Sequence, residues 1–218
     1  MRKLSLTLAL AWLVAGVLSA GARAQTQANP SHVHMGHVMT SFMNTPDKQG
    51  LLPVARAEAA TAAQHAALAA KSPTDLNAMK LHAGHVLHAI DPSVEANGPG
   101  LGYGVKRAAQ GVAQHIELAA KAEGASQNVK THAVHVAAAA NSTVQRADQI
   151  IAIAQKIRAA STAAEAAPLA AQMSTLCQQL TTGADVNGDG RVNWDAPEGG
   201  LDQALQHMQL MEKGEGGL

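Results

Sequence analysis

The chain reads as all-α, an Ala-rich helical bundle built from internally repeated helical hairpins. Three observations lead there. Long stretches of Ala, Leu, Gln, Glu, Lys and Arg favour helix and are punctuated by Pro, Gly and capping Ser, Thr or Asp. Two short patterns each occur three times: HxxHV at residues 34–38, 82–86 and 132–136, and QHxxLxxK at 64–71, 114–121 and 206–213. The spacing also repeats. His65 and His82 are 17 residues apart, as are His115 and His132, and 50 residues separate each member of the first pair from its counterpart. Composition alone does not produce that register, so a unit of about 50 residues recurs. At 218 residues the chain is sized for one domain.

Residues 1–24 have the pattern of a secretory signal peptide. Arg2 and Lys3 form a basic start, residues 4–20 are mostly apolar, and Ala22-Arg23-Ala24 offers a small-residue cleavage site. The expected destination is periplasmic or secreted, in a bacterial cell. Residues 25–31 are polar and expected to be disordered, which places the bundle domain at 32–213.

A helix carrying His34 and His37 is expected to end near Thr45-Pro46, and a loop with Gly50 and Pro53 to follow. The next helix, 54–71, stops at Ser72-Pro73-Thr74-Asp75, where Ser or Thr is read as N-cap of the helix through His82 and His85, with Pro in its first turn and Asp near its positive end. That helix runs to Ile90, before Asp91-Pro92. Residues 91–104 form a glycine-rich loop. A helix over 105–122 ends at Gly124, and Ser126 caps the next, over 127–140. Two helices without histidine, 143–160 and 162–180, follow, with Pro168 kinking or opening the second. A last helix covers 201–213. The total is seven or eight.

Charge and composition narrow the function. The chain has 16 basic and 16 acidic residues, and three of the basic ones fall in the leader. Only 2% of residues are aromatic and no basic patch is visible, which argues against nucleic-acid binding. After the leader no apolar run is long enough to span a bilayer. Cys177 is the single cysteine, which excludes an intramolecular disulfide, a CxxCH haem attachment and a cysteine zinc site, and its apolar neighbours place it in the core.

Eleven histidines are the abnormal feature, and all lie after the leader. Histidines three apart share a helix face. His65 and His82 lie about equally far from the turn at Pro73-Thr74, so an antiparallel hairpin sets them level. Ala-rich faces let helix axes approach to about 8 Å, and an imidazole from each side then meets. Two triads are therefore expected inside hairpins: His65 with His82 and His85, and His115 with His132 and His135. If the bundle closes on itself, His207 joins His34 and His37. His32 and His88 lie outside the repeat and are read as accessory or solvent-facing.

Three neutral imidazoles suit copper or zinc, with a fourth position left for water. Met35, Met39, Met43, Met79, Met208 and Met211 lie near these segments and would favour copper if they ligate, whereas core filling is their ordinary role. Noncovalent haem b held between facing helices in an electron-transfer bundle is the alternative, with Gly36 and Gly84 letting a flat ring approach the backbone. A purely structural or partner-binding bundle is the third reading. An open three-histidine site can activate water, but no carboxylate shares the repeated positions, so an enzyme is the weaker expectation.

The stretch 185–198 resembles the calcium loop of EF-hand and dockerin-type proteins. Asp185, Asn187 and Asp189 match its first, third and fifth ligand positions, Gly190 its turn glycine, Arg191 its backbone-carbonyl ligand and Asn193 its ninth position. Ala196 stands where the closing acid belongs, with Asp195 and Glu198 as substitutes. The resemblance implies one calcium ion pinning the last helix.

Overall fold

The computed structural model describes residues 29–217. The leader expected at 1–24 lies outside them, as do residues 25–28. Among the described residues there are seven α-helices: α1 Pro30–Met39, α2 Leu51–Ala70, α3 Leu76–Ile90, α4 Val105–Lys121, α5 Gln127–Ala159, α6 Ala163–Thr182 and α7 Leu201–Gly214. A short 3₁₀ turn, Pro46–Lys48, precedes α2. None of these helices is long and apolar enough to cross a membrane.

The cap read at Ser126 forms: its hydroxyl accepts from the Val129 amide at 3.1 Å. Thr162 and Glu165 close a capping box at the start of α6, which runs on through Pro168. Four expectations need correction. The cap of α3 is Asp75 rather than Ser72 or Thr74, its carboxylate accepting from the Ala78 amide at 3.0 Å. Residues 29–31 are not disordered: Asn29 caps α1, accepting from the Ser31 amide, and Pro30 and Ser31 form its first turn. The first helix stops at Met39 rather than near Pro46. The helices expected at 127–140 and 143–160 are one 33-residue helix. Ser142 and Thr143 look like a break, but their hydroxyls donate to the carbonyls four residues back, at 3.0 Å each, and the helix continues.

Alanine sets the packing. Ala59, Ala62, Ala66 and Ala69 of α2 and Ala133, Ala139, Ala140, Ala147 and Ala154 of α5 are all buried, so helices approach closely. Leu51, Leu87, Ile90, Ile116, Ile150, Ile157, Met173 and Leu180 fill the wider interior. α2 packs chiefly on α3, α4 chiefly on α5, and α6 lies against both α2 and α5. α1 rides on the outside of α4 and α7 on the outside of α5. Cys177 is free and fully buried, and burial pushes its thiol pKa up.

Three polar joints hold the loops and ends. Glu58 of α2 is fully buried, and its carboxylate accepts from the amides of Leu101, Tyr103 and Gly104 at 3.1, 2.8 and 3.0 Å. The glycine-rich loop folds onto this acid; a Cβ on Gly100 would sit 2.3 Å from Glu58 Oε2. The same loop covers His88, which is buried rather than solvent-facing, with Nδ1 2.9 Å from the Glu95 carbonyl. Buried Arg146 of α5 donates to the carbonyls of Pro197, Glu198 and Gly199, fixing the approach to α7. Glu215 ties the ends together, accepting from Ser126 and Asn128 of the α5 start and meeting His32 of α1 at 3.0 Å. The Ser126, Asn128 and His32 hydrogen bonds, in that order, hold its carboxyl down at about 2.

Candidate metal centres

Nine histidines stand in three triads, and in each the three ligand atoms lie within 4.8 Å of one another. Site 1 is His34 and His37 of α1 with His115 of α4. Site 2 is His65 of α2 with His82 and His85 of α3. Site 3 is His132 and His135 of α5 with His207 of α7. Each takes its pair from an HxxHV helix and its third member from a QHxxLxxK helix.

Site 2 has the expected membership, and the other two do not. His115 turns toward α1 instead of meeting His132 and His135 across the α4–α5 hairpin. His207 turns toward α5 instead of reaching His34 and His37. Equal distance from a turn fixes height along a hairpin, but the side of the helix on which a residue stands is set by the whole packing order. Because α1 covers the outer side of α4 and α7 that of α5, each partner histidine faces its outer neighbour.

The contacts have the same form three times. His115 Nδ1 lies 3.1 Å from His34 Nδ1 and 3.3 Å from His37 Nδ1. His65 Nδ1 lies 3.1 and 3.2 Å from the Nδ1 atoms of His82 and His85. His207 Nδ1 lies 3.0 and 3.3 Å from those of His132 and His135. One ring nitrogen carries either one hydrogen or one in-plane lone pair, so it cannot make two well-directed hydrogen bonds. Three imidazole nitrogens this close together could hold a metal ion. A tetrahedral ion with metal–nitrogen bonds of about 2.0–2.1 Å sets neighbouring nitrogens about 3.3–3.4 Å apart, and a right-angled one about 2.9 Å. The two close separations at each site, 3.0–3.3 Å, fall in that interval, and the third is within 4.8 Å.

All nine rings are half-buried on the flank of the bundle. Burial first, and then the charge of neighbouring histidines, holds His34, His65, His82, His115 and His135 below the ordinary imidazole pKa. His207 is pushed down to about 4, by burial and then by His135 and His132. The neutral, ligating form therefore dominates at neutral pH. A depressed pKa in the folded state means stability that is complete above 6.5 and lost as pH falls toward about 4. An ion held by these rings would be retained less well as pH falls below 6.5, because protonated imidazole cannot ligate. Dialysis at stepped pH with metal analysis checks this; retention that does not change with pH even well below 4 would point to ligands other than imidazole.

Two aromatic side chains beside the triads escaped the sequence reading. Phe42 meets the rings of His37 and His115, with centroids 5.4 and 4.9 Å away. Trp194 lies flat on His135, centroids 3.9 Å apart and planes 23° apart, and stands edge-on to His207. The chain has one Phe and two Trp, so rarity was the available signal. Core filling, the ordinary role of methionine, is what most of these residues do: Met35, Met79, Met208 and Met211 are fully buried, Met39 packs against the core, and Met43 is exposed.

In the acidic loop, Asp185 accepts from the amides of Gly188, Asp189 and Gly190, Asn187 from that of Asp189, and Asp189 from that of Arg191. Glu198, not Asp195, folds inward. Its two carboxylate oxygens accept from the amides of Asn187 and Asn193 at 3.3 and 3.1 Å, and only 4% of the residue is exposed. Asp195 is exposed.

Comparison with protein-family models, with curated proteins and with solved structures returns no match.

Proposed function

We propose that this protein is an exported metal-binding bundle that holds one transition-metal ion, copper or zinc, at each histidine triad. The observation that carries the reading is the convergence of three Nδ1 atoms at each of three places. An all-imidazole set suits Zn(II) and Cu(II). With the methionines in the core, thioether ligation gives no further pull toward Cu(I). The convergence also favours a bare ion over haem b, because two axial ligands of one haem iron stand about 4 Å apart, on opposite sides of the ring. Export rests on the leader-like pattern of residues 1–24. Metal analysis and an absorption spectrum of protein purified without a histidine tag test the proposal. Close to three ions per chain is expected. A Soret band would replace this reading with haem, and an empty protein after reconstitution with copper and zinc would leave a structural or partner-binding bundle.

The acidic loop is proposed to take one calcium ion through Asp185, Asn187, Asp189, the Arg191 carbonyl, Asn193 and Glu198, with Asp195 at the rim. Support comes from the residue pattern and from Glu198 folding inward where Ala196 offers no acid. Replacing Asp185 and Asp189 by Ala should abolish any calcium-dependent rise in melting temperature while the triads stay loaded. A calcium response surviving in that variant removes the assignment.

A further inference from the structure

The three triads share their ligand geometry but differ in what lies over them. Phe42 covers site 1 and Trp194 covers site 3. At site 2, among the described residues, the only rings in contact are the three histidines themselves. Its HxxH turn carries Gly84, where an added Cβ would meet nothing within 4 Å. Glycine inside a helix costs about 1 kcal/mol relative to alanine, and here no close packing explains it.

A cavity of about 210 Å³ opens beside this triad, lined by Lys80, Leu81, Gly84, His85, Glu95, Asn97 and Arg158. His85 belongs to both, with Nδ1 in the triad and its ring in the cavity wall. Arg158 is paired with Glu95 at 2.5 Å, whereas Lys80 has no ion pair among the described residues. The cavity thus carries an excess positive charge, next to a site where the only rings in contact among the described residues are the three histidines.

We infer that site 2 is the reactive one of the three: its ion keeps an open coordination position that takes a small anion, while Phe42 and Trp194 shield the ions of sites 1 and 3. The anion displaces a water from the ion, with no electron transferred. The charge of Lys80 favours a negative ligand over a neutral one. The assignment rests on the metal-binding reading above and adds to it a ligand class and a division of labour.

Single-site proteins test it. His115→Ala with His207→Ala leaves site 2, His65→Ala with His207→Ala leaves site 1, and His65→Ala with His115→Ala leaves site 3. Circular dichroism checks that each is folded. Each is loaded with Cu(II), its copper content is measured, and it is titrated with azide while the azide-to-copper charge-transfer absorption is followed. The site 2 protein is expected to bind azide at least about tenfold more tightly than the other two. Phe42→Ala in the site 1 protein and Trp194→Ala in the site 3 protein should each raise azide affinity toward that of site 2. Lys80→Gln in the site 2 protein should weaken azide by roughly threefold, the scale of one partly exposed charge. Equal azide affinity at all three sites, or none at site 2, in proteins that each hold one copper overturns this inference and leaves metal binding intact. An unchanged azide affinity in Lys80→Gln removes the cavity from it. Absence of copper in all three proteins overturns this inference, and absence of zinc as well, after reconstitution with each, overturns the metal-binding reading.

Discussion

Replacing His65, His115 and His207 together by alanine should leave a folded protein that retains no copper or zinc after dialysis. These three residues are the shared members of the triads: each makes both of the close Nδ1 contacts at its site. Removing one leaves two imidazoles on a single helix, a chelate with one ligand too few. The loss per site should exceed the roughly 10–100-fold that removal of an outer-shell partner costs. Each single substitution should therefore lower the bound metal from three ions to two, read by metal analysis. His32→Ala is the matched control, since His32 pairs with Glu215 and belongs to no triad. At free metal about a hundred times Kd, each occupied site adds about 2.7 kcal/mol to stability, so the triple variant should also lose the metal-dependent rise in melting temperature. A triple variant that still carries three ions would place the ions elsewhere.

Glu58→Ala should produce the largest loss of stability of any single substitution considered. It strips the acceptor from three backbone amides, at Leu101, Tyr103 and Gly104, around a carboxylate that is fully buried. A buried donor left without a partner costs about 1–3 kcal/mol, and the backbone of the loop cannot be redesigned around the gap. A drop of about 3–5 kcal/mol in unfolding free energy is expected, a large share of the 5–15 kcal/mol typical of a domain. Chemical denaturation measures it. Metal stoichiometry of the folded fraction should remain three, because Glu58 touches none of the nine histidines. A midpoint unchanged from that of the parent would mean that the loop is held by something other than this acid.

How much of this was legible depends on which physical rule governs each feature. Helix starts at Ser126 and Thr162 were readable because capping is local chemistry within three residues, whereas in the turn before α3 several residues can cap and the one that does is Asp75, not Ser72 or Thr74. The break expected at Ser142-Thr143 was also a local inference, and it failed because the same hydroxyls can satisfy themselves against the preceding turn. The nine triad histidines could be picked out from their repeated pattern. Their partners could not, except at site 2, where both helices belong to one hairpin and the turn settles height and neighbour together. At sites 1 and 3 the partner follows from α1 and α7 lying on the outside of the α4–α5 hairpin, and no residue within those helices announces it. Glu58, His88 and Trp194 gain their roles from loops arriving from elsewhere in the chain. Single residues at unrepeated positions left no periodicity to follow.

The pairing of the triads also bears on the order in which they can assemble. The contacts of site 2 join residues 17 and 20 apart in the chain, whereas those of site 1 span 78 and 81 residues and those of site 3 span 72 and 75. Closing a chain segment about four times longer costs roughly 1.2 kcal/mol more in entropy, and distant contacts form later than local ones. A polypeptide emerging from its N-terminus has all of site 2 once α3 is out, while site 1 must wait for α4 and site 3 for α7. A partly folded chain meeting scarce ions would therefore fill the middle triad first, and that first ion would clamp the α2–α3 hairpin on which α4 and α6 later build.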